Sequence, residues 1–123
     1  MALRFEGTGF GWIRLGGEVY GHDIVVFGGE RVEERRKELS RRGLGHTPLS
    51  RRELEEYLRG LDVKIVLVGT GQYGALPVDE ADRLCREWGI EFIAERTEKA
   101  GEIYNRLLRE GRRDFVAIFH VTC

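Results

Sequence analysis

The sequence is poor in cysteine and in proline. It contains two cysteines, Cys85 and Cys123, and two prolines in 123 residues. Two cysteines are too few for the disulfide framework of a small secreted protein, so a reducing compartment is the simplest environment for this chain. We therefore expect a cytoplasmic protein.

The sequence also has no long apolar run. Wholly apolar stretches such as Ile65 to Val68 are far shorter than the about 20 residues that span a bilayer. The segment from Met1 to Phe10 lacks an apolar stretch of signal-peptide length. We expect no membrane partner and no secretion.

Length and composition fit one folded domain over residues 1–123. The hydrophobic fraction of 41% is that of globular proteins, which excludes a mainly disordered chain. No internal repeat, low-complexity tract or linker divides the sequence. A chain of this length forms its core without disulfides or metals.

The charge is small overall but unevenly distributed. The net charge is −1, whereas the segment Arg31 to Arg52 holds eight basic and three acidic residues and carries +5. A basic segment can bind an anionic partner, but a solvated, mobile connection is the simpler interpretation. No aromatic residue lies in the segment to stack on bases, so nucleic-acid binding is the least favoured function.

The first half of the chain predicts strands followed by one helix. Short β-prone runs lie at Ala2–Glu6, Gly11–Leu15, Glu18–Tyr20 and Asp23–Phe27, with a glycine pair between the second and third. After the basic segment, Ser50 and Glu53 have capping-box spacing and begin an amphipathic helix.

The second half alternates strands and helices. Strands are predicted at Val63–Val68, Ile90–Ala94 and Phe115–Val121. A helix starting near Pro77 and another capped by Thr97 lie between them. The order β-α-β-α-β predicts an α/β fold in which helices pack on a sheet.

A glycine loop follows the first of these strands. Gly69 to Gly74 spells G-x-G-x-x-G, the pattern of dinucleotide-binding sites. A helix beginning at Thr70 would carry Pro77 in its interior at a cost of about 3 kcal/mol, and the chain is too short for two mononucleotide-binding halves. We therefore expect no dinucleotide cofactor. The loop is either a tight turn or one wall of a pocket for a small anion or polar ligand.

The pocket interpretation rests on where parallel strands end. Ligands of open α/β sheets bind beyond the carboxyl ends of the strands, where two helix starts would direct their partial positive charge into one crevice. The ligand-binding candidates in that crevice are Gly69, Thr70, Gly71, Gln72, Tyr73, Glu95 and Thr97.

Other chemistry-bearing residues are scattered. The three histidines and two cysteines have no metal-ligand spacing, so we expect no metal site. His120 and Cys123 are three residues apart and would face opposite sides of a strand, although a thiol near a histidine can be reactive. The secondary candidates are His46, Asn105, His120 and Cys123. These residues leave open whether the protein is an enzyme.

Several stretches resemble one small protein family. They are Gly21–Val26, Gly45-His46, Val68–Gly71, Thr97–Leu107 and the ending Phe119-His120-Val121-Thr122-Cys123. The family includes the adipogenesis-associated domain protein and a mitochondrial assembly factor for respiratory complex I. The resemblance implies a three-layer α/β fold, in which a central mixed sheet has helices on one face and additional short strands on the other. It implies no reaction.

Two functions follow from these observations. The favoured one is a non-catalytic binding or assembly domain with a protein partner, because no convincing catalytic pair is present. The alternative is a pocket for a small polar or anionic ligand, with or without catalysis, around Gly69–Gly74 and Thr97.

Overall fold

The computed structural model describes residues 2–41 and 47–123. In these residues the strands are β1 Phe5–Gly9, β2 Trp12–Leu15, β3 Glu18–Tyr20, β4 Ile24–Phe27, β5 Arg31–Glu34, β6 Ile65–Thr70, β7 Glu91–Glu95 and β8 Phe115–His120. The α-helices are α1 Arg51–Leu58, α2 Asp79–Trp88 and α3 Thr97–Arg109, and a 3-10 turn covers Lys37–Leu39. None of the described helices is long and apolar enough to cross a membrane.

The strands form two sheets. The central sheet has the order β5-β4-β8-β6-β7, in which β6 runs parallel to β7 and β8, while β4 runs antiparallel to β5 and β8. A second, antiparallel sheet has the order β1-β2-β3. The mixed central sheet and the additional short strands confirm the predicted fold class.

The central sheet separates two hydrophobic cores. On one face, Val66 and Val68 pack with α1 and α2. On the other face, Ile65 and Leu67 pack with α3 and the small sheet. Both β6 and β8 are buried along their whole length, which explains their almost continuous apolar sequences.

The position of α3 differs from the expectation that the helices share one face. The connection from β6 to β7 through α2 steps towards one edge of the sheet, and the connection from β7 to β8 through α3 steps back past β6. Crossover connections are right-handed, so a reversal of direction puts the second helix on the opposite face. Helix α3 therefore shares its layer with the three-stranded sheet.

The helix starts differ in detail from the sequence patterns. Ser50 caps α1 as predicted, because its Oγ accepts a hydrogen bond from the Glu53 N–H at 3.1 Å. The Glu53 carboxylate, however, binds Arg35 instead of reaching back to Ser50. Arg96 occupies the N-cap position of α3, and Thr97 is its first helical residue.

The basic segment is largely structured where the structure describes it. Arg31 to Glu34 form β5 and pair with β4, and the segment from Arg51 begins α1. Arg35 is buried between them. The interpretation of Arg31–Arg52 as a solvated connection is therefore wrong for these parts, because Arg35 finds buried carboxylate partners that the sequence places far away. Residues 42–46 lie outside the described residues.

Helix α3 approaches β1 closely at Gly101. A Cβ atom at Gly101 would overlap the Phe5 ring. Asn105, one turn further along α3, accepts a hydrogen bond from the Phe5 N–H at 2.9 Å and donates one to the Phe5 carbonyl at 2.8 Å. The helix therefore holds the small sheet through both packing and main-chain hydrogen bonds.

We expect Gly101→Ala to destabilise the protein, although alanine is favoured over glycine in a helix by about 1 kcal/mol. Overlap with the Phe5 ring should outweigh that gain and lower the free energy of unfolding in urea by about 1–3 kcal/mol. Adding Phe5→Leu should restore part of the loss, since the smaller side chain makes room. A Gly101→Ala variant as stable as the unmodified protein would contradict this packing.

Candidate functional site

The glycine loop after β6 binds the last residues of the chain. The N–H groups of Tyr73 and Ala75 donate to the Cys123 carbonyl oxygen at 2.9 and 3.0 Å, and the Gln72 N–H donates to Thr122 at 2.7 Å. Amides arranged in this way can bind an anion. Here the main-chain oxygens of Thr122 and Cys123 occupy them.

Glycine is required at position 71 for two reasons. Its φ of +106° lies in the region that favours glycine, and a Cβ atom there would overlap the main chain of Cys123. The G-x-G-x-x-G pattern therefore serves close packing of the chain ending against the loop.

The predicted crevice between β6 and β7 is closed by hydrogen bonds. The Gly71 N–H donates to Thr97 Oγ1 at 2.9 Å, and the Thr97 N–H donates back to the Gly71 carbonyl at 3.2 Å. Thr70 Oγ1 donates to the Glu95 carbonyl at 3.1 Å. Position 69 packs closely as well, since a Cβ atom there would lie 3.0 Å from Thr97 Cα. Thr70 and Thr97 thus share one rim of the sheet, as expected.

Thr97 is buried and joins three elements. Besides accepting from Gly71, its hydroxyl donates to the His120 carbonyl oxygen at 2.5 Å. This side chain therefore links the start of α3 to the ends of β6 and β8. The proposed N-cap role of Thr97 is wrong, because its hydroxyl is used in these longer-range contacts.

The other ligand-binding candidates have different surroundings. Gln72 Nε2 donates to Thr8 Oγ1 at 3.1 Å, which ties the loop to β1. The Glu95 side chain is exposed, as is Tyr73. Ligand binding at these residues stays a prediction.

A buried carboxylate lies at the same rim. Asp23 Oδ2 accepts hydrogen bonds from His120 Nδ1 at 2.7 Å and from Arg35 Nη1 at 3.0 Å. Asp23 Oδ1 accepts from the Val121 N–H at 2.8 Å, and Lys37 Nζ lies 3.6 Å from Oδ2. The Asp23 carboxylate therefore connects the start of β4, the end of β8 and the segment that follows β5.

The surroundings of Asp23 hold it in the ionised form. Burial alone would raise the pKa of the carboxyl, but the His120 hydrogen bond, the Val121 N–H and the Lys37 charge together lower that pKa to about 2. Because an ionised carboxylate only accepts hydrogen bonds, the proton of the contact must be on His120 Nδ1. His120 Nε2 lies 3.3 Å from Thr122 Oγ1.

Arg35 extends the network to α1. Its guanidinium binds both carboxylate oxygens of Glu53, at 2.9 and 3.1 Å. Tyr57 donates its hydroxyl hydrogen to Glu53 at 2.6 Å, and Ser40 donates a second hydrogen bond. Burial and the Glu53 charge raise the pKa of Tyr57. The sequence patterns did not predict this network. Of its members, they singled out Glu53, as the glutamate of a capping box.

The secondary candidates do not come together as one site. Asn105 holds β1. The Cys123 main chain and the His120 ring both lie against Gly71 of the glycine loop, and His120 Nδ1 also contacts Asp23. Cys123 is a half-buried free thiol. His46 lies outside the described residues. Within residues 2–41 and 47–123, no group of three or more His, Cys, Asp or Glu side chains could hold a metal ion.

A small open cavity of about 180 Å³ lies beside Asp23. Both basic and acidic side chains line it. The lining residues are His22, Asp23, Glu34, Arg35, Lys37, Glu38 and Arg41. This mixture selects neither an anion nor a cation.

Exposed aromatic side chains lie next to the glycine loop. Phe10 is 60% exposed and Tyr73 is 68% exposed, and their ring centroids are 6.2 Å apart. Trp12, 40% exposed, lies over Gly7 and Gly9 beside the turn that carries Phe10. We call these three residues, Phe10, Trp12 and Tyr73, the aromatic surface.

Comparison with known proteins identifies relatives whose function is not described. A family model described as "Protein of unknown function (DUF498/DUF598)" matches residues 5–120. No curated protein matches.

Solved structures match over the whole chain. A conserved hypothetical protein, PH1505 from Pyrococcus horikoshii OT3, is 36% identical with a TM-score of 0.84, and the match covers 98% of this chain and 99% of that one. A structure described as MT938 is 33% identical with a TM-score of 0.76, covering 99% and 100%. A Bordetella pertussis protein described as a Mth938-like domain is 20% identical and shares the fold, with a TM-score of 0.59. The match covers 97% of this chain and 85% of that one.

We expect Gly71→Ala to release Val121–Cys123 from the glycine loop, because the added Cβ atom would displace Cys123. Amide hydrogen exchange at Tyr73 and Ala75 should then be faster by at least about tenfold. Gly74→Ala is the matched control, since its φ of +71° is also unfavourable to alanine but its Cβ atom would meet no atom closer than 3.6 Å. Equal exchange rates in both variants would show that the binding of Val121–Cys123 to the loop does not depend on Gly71.

We expect Asp23→Asn to lower the free energy of unfolding by about 3 kcal/mol at neutral pH, because it leaves buried Arg35 with one carboxylate partner. The pKa of Asp23 falls from 3.8 to about 2 on folding. Its ionisation therefore contributes about 2 kcal/mol above pH 4, a contribution that is lost as the pH falls towards 2.

The difference in the free energy of unfolding between the unmodified protein and Asp23→Asn should accordingly shrink below about pH 4. Urea unfolding curves at several pH values measure it. Glu6→Gln, which breaks the exposed pair with Arg14, is the control and should change stability by less than about 1 kcal/mol. A constant difference from pH 7 to pH 2 would contradict the buried, ionised state of Asp23.

Proposed function

The chain belongs to the DUF498/DUF598 family of proteins of unknown function, and we propose that it is a non-catalytic binding domain that holds a partner protein on its aromatic surface. The observation that carries the proposal is the pair of exposed rings, Phe10 and Tyr73, in contact at the rim. Aromatic side chains are enriched at the centres of protein interfaces, where they contribute most of the binding energy.

The backbone beneath the aromatic surface is held in place. The Gly11 N–H donates to the Val121 carbonyl at 2.8 Å, and the Tyr73 N–H donates to Cys123 at 2.9 Å. Thr8 Oγ1 donates to the Trp12 carbonyl at 2.7 Å. A surface that is already ordered loses little conformational entropy on binding, which favours affinity.

The surroundings of the aromatic surface favour a protein over a polyanion. Charges of both signs lie beside it, because Arg14, two residues after Trp12 on β2, forms an exposed pair with Glu6 whose N and O atoms are 3.4 Å apart. An aromatic centre with a mixed polar rim is typical of protein interfaces. The expected partner presents apolar or arginine side chains to the rings and charged groups of both signs around them.

The small-ligand alternative has less support. The amides of the glycine loop donate to the chain ending, and the Thr97 hydroxyl is used by Gly71 and His120. A ligand there would have to displace these hydrogen bonds. The family that the sequence resembles includes an assembly factor for complex I and the adipogenesis-associated domain protein, and this resemblance favours the binding proposal.

Site-specific photocrosslinking in the native host tests the proposal. A benzophenone amino acid at Tyr73 should give an adduct with one defined protein, which mass spectrometry identifies. The same probe at Trp88, which is 50% exposed on α2, should not give that adduct. Identical adducts at both positions would contradict the proposal.

The identified protein is then purified for calorimetry. Phe10→Ser combined with Tyr73→Ser should weaken binding by more than about tenfold, while Trp88→Ser should leave it unchanged. Because all three side chains are exposed, the melting temperatures should be similar. Unchanged affinity in the double variant would reject the aromatic surface as the interface.

A further inference from the structure

Strand β7 is an open edge of the central sheet. In the part of the chain that the structure describes, β7 pairs only with β6. The Glu91 N–H donates to the Lys64 carbonyl at 3.0 Å, so Glu91, Ile93 and Glu95 direct their main-chain groups towards β6. By the alternation of a parallel ladder, the main-chain N–H and C=O groups of Phe92 and Ala94 point away from it. They can pair with a further strand.

The side chains of β7 form a distinct pattern. Glu91 and Glu95 are exposed at the two ends, and the three residues between them are half-buried. Ile93 packs on the α3 side of the sheet, and Phe92 and Ala94 pack on the α2 side. An added strand would therefore extend both hydrophobic cores. On the α3 side of the sheet, its side chains would lie next to the Glu91 and Glu95 carboxylates.

These two carboxylates are not neutralised by ion pairs. Among the described residues, neither Glu91 nor Glu95 forms an ion pair within 4.0 Å. Lys64 and Arg112 pair with Asp62 and Asp114 instead, although the Arg112 charge also acts on Glu91. The other edge of the sheet, β5, differs because its Arg31 and Glu33 pair with each other along the strand. The β7 edge thus carries an exposed carboxylate at each end of an apolar centre.

We propose that the β7 edge binds an extended peptide in which two basic residues flank an apolar residue, the peptide adding as a sixth strand of the central sheet. Main-chain pairing with Phe92 and Ala94 supplies affinity. Basic side chains opposite Glu91 and Glu95, with an apolar one opposite Ile93, supply selectivity. This site is separate from the aromatic surface and does not depend on it.

The same charges disfavour a second copy of this chain as the occupant. Antiparallel pairing of two β7 strands centred on Ile93 places Glu91 opposite Glu95 of the other copy. Parallel pairing in register would set the outward main-chain groups of Phe92 in the two copies against each other, so it could not form a ladder. Like charges directly opposite one another destabilise a strand pair, so the edge is protected from self-pairing while it stays open to a basic strand.

A short peptide with the sequence Lys-Val-Val-Val-Lys, flanked by serines and with blocked ends, is the probe. It reads the same in both directions, so it tests parallel and antiparallel addition together. Fluorescence anisotropy with the full chain should show saturable binding. A peptide with glutamate in place of both lysines, and one with N-methyl groups on the second to fifth residues of the motif, should each bind at least about tenfold more weakly, because these N–H groups include the donors of both antiparallel and parallel ladders.

Exchanging the charges of the protein should reverse the preference. Glu91→Lys combined with Glu95→Lys should favour the glutamate peptide over the lysine peptide. Glu102→Lys combined with Glu110→Lys, at exposed positions on and just after α3, is the matched control and should keep the original preference. The same charge preference in both double variants would overturn the proposal.

Amide hydrogen exchange locates the peptide. Exchange at Phe92 and Ala94 should be fast in the free protein and slowed at least about tenfold by saturating lysine peptide. Exchange at Ile93, whose N–H points to β6, is the internal control. Absence of binding at about 1 mM peptide, or binding that leaves Phe92 and Ala94 unprotected, would overturn strand addition without bearing on the aromatic surface.

Discussion

The carboxylate of Asp23 is the interaction on which the carboxyl rim of the sheet depends. It is buried and ionised, and it accepts hydrogen bonds from His120, Val121 and Arg35. A buried charge is tolerated only when it is paired and fully hydrogen-bonded. These partners come from the end of β8 and from the segment after β5, so one anion fixes the positions of chain segments that are distant in sequence.

The fixed rim has consequences for the exposed surface. Asp23 holds the N–H of Val121, and the carbonyl of Val121 in turn accepts from the turn residue Gly11. The following residues, Thr122 and Cys123, accept hydrogen bonds from the amides of the glycine loop and so hold the main chain of Tyr73. A buried electrostatic contact is thereby transmitted, through main-chain hydrogen bonds, to the residues of the aromatic surface. The rim is built to hold its own chain, which favours a role in presenting a surface.

The fold could be predicted from sequence wherever periodicity was strong. The apolar run that becomes β6 and the helical spacing of Leu54, Tyr57 and Leu58 predicted elements that the structure contains. The face occupied by α3 could not be predicted, since it depends on the order of the strands in the sheet. Strand β5 was missed, because Arg31 to Glu34 has one apolar residue and forms a strand through pairing with β4.

The candidate site was predictable in location more than in chemistry. Parallel strand ends did bring Thr70 near Thr97, but a glycine pattern does not reveal which oxygens fill its amides, and here they belong to the chain ending. Arg35 was read as a surface charge because its partners, Asp23 and Glu53, are separated from it by 12 and 18 residues. Ion pairs over such distances leave no local pattern in a single sequence.

The tautomer of His120 tests the central role of Asp23 most directly. Long-range proton–nitrogen correlation NMR on the labelled protein at neutral pH distinguishes the two ring nitrogens. An ionised Asp23 carboxylate that accepts from the ring requires the proton on Nδ1, so we expect a protonated Nδ1. An Nε2–H tautomer with a bare Nδ1 would place two acceptors against each other and would contradict it.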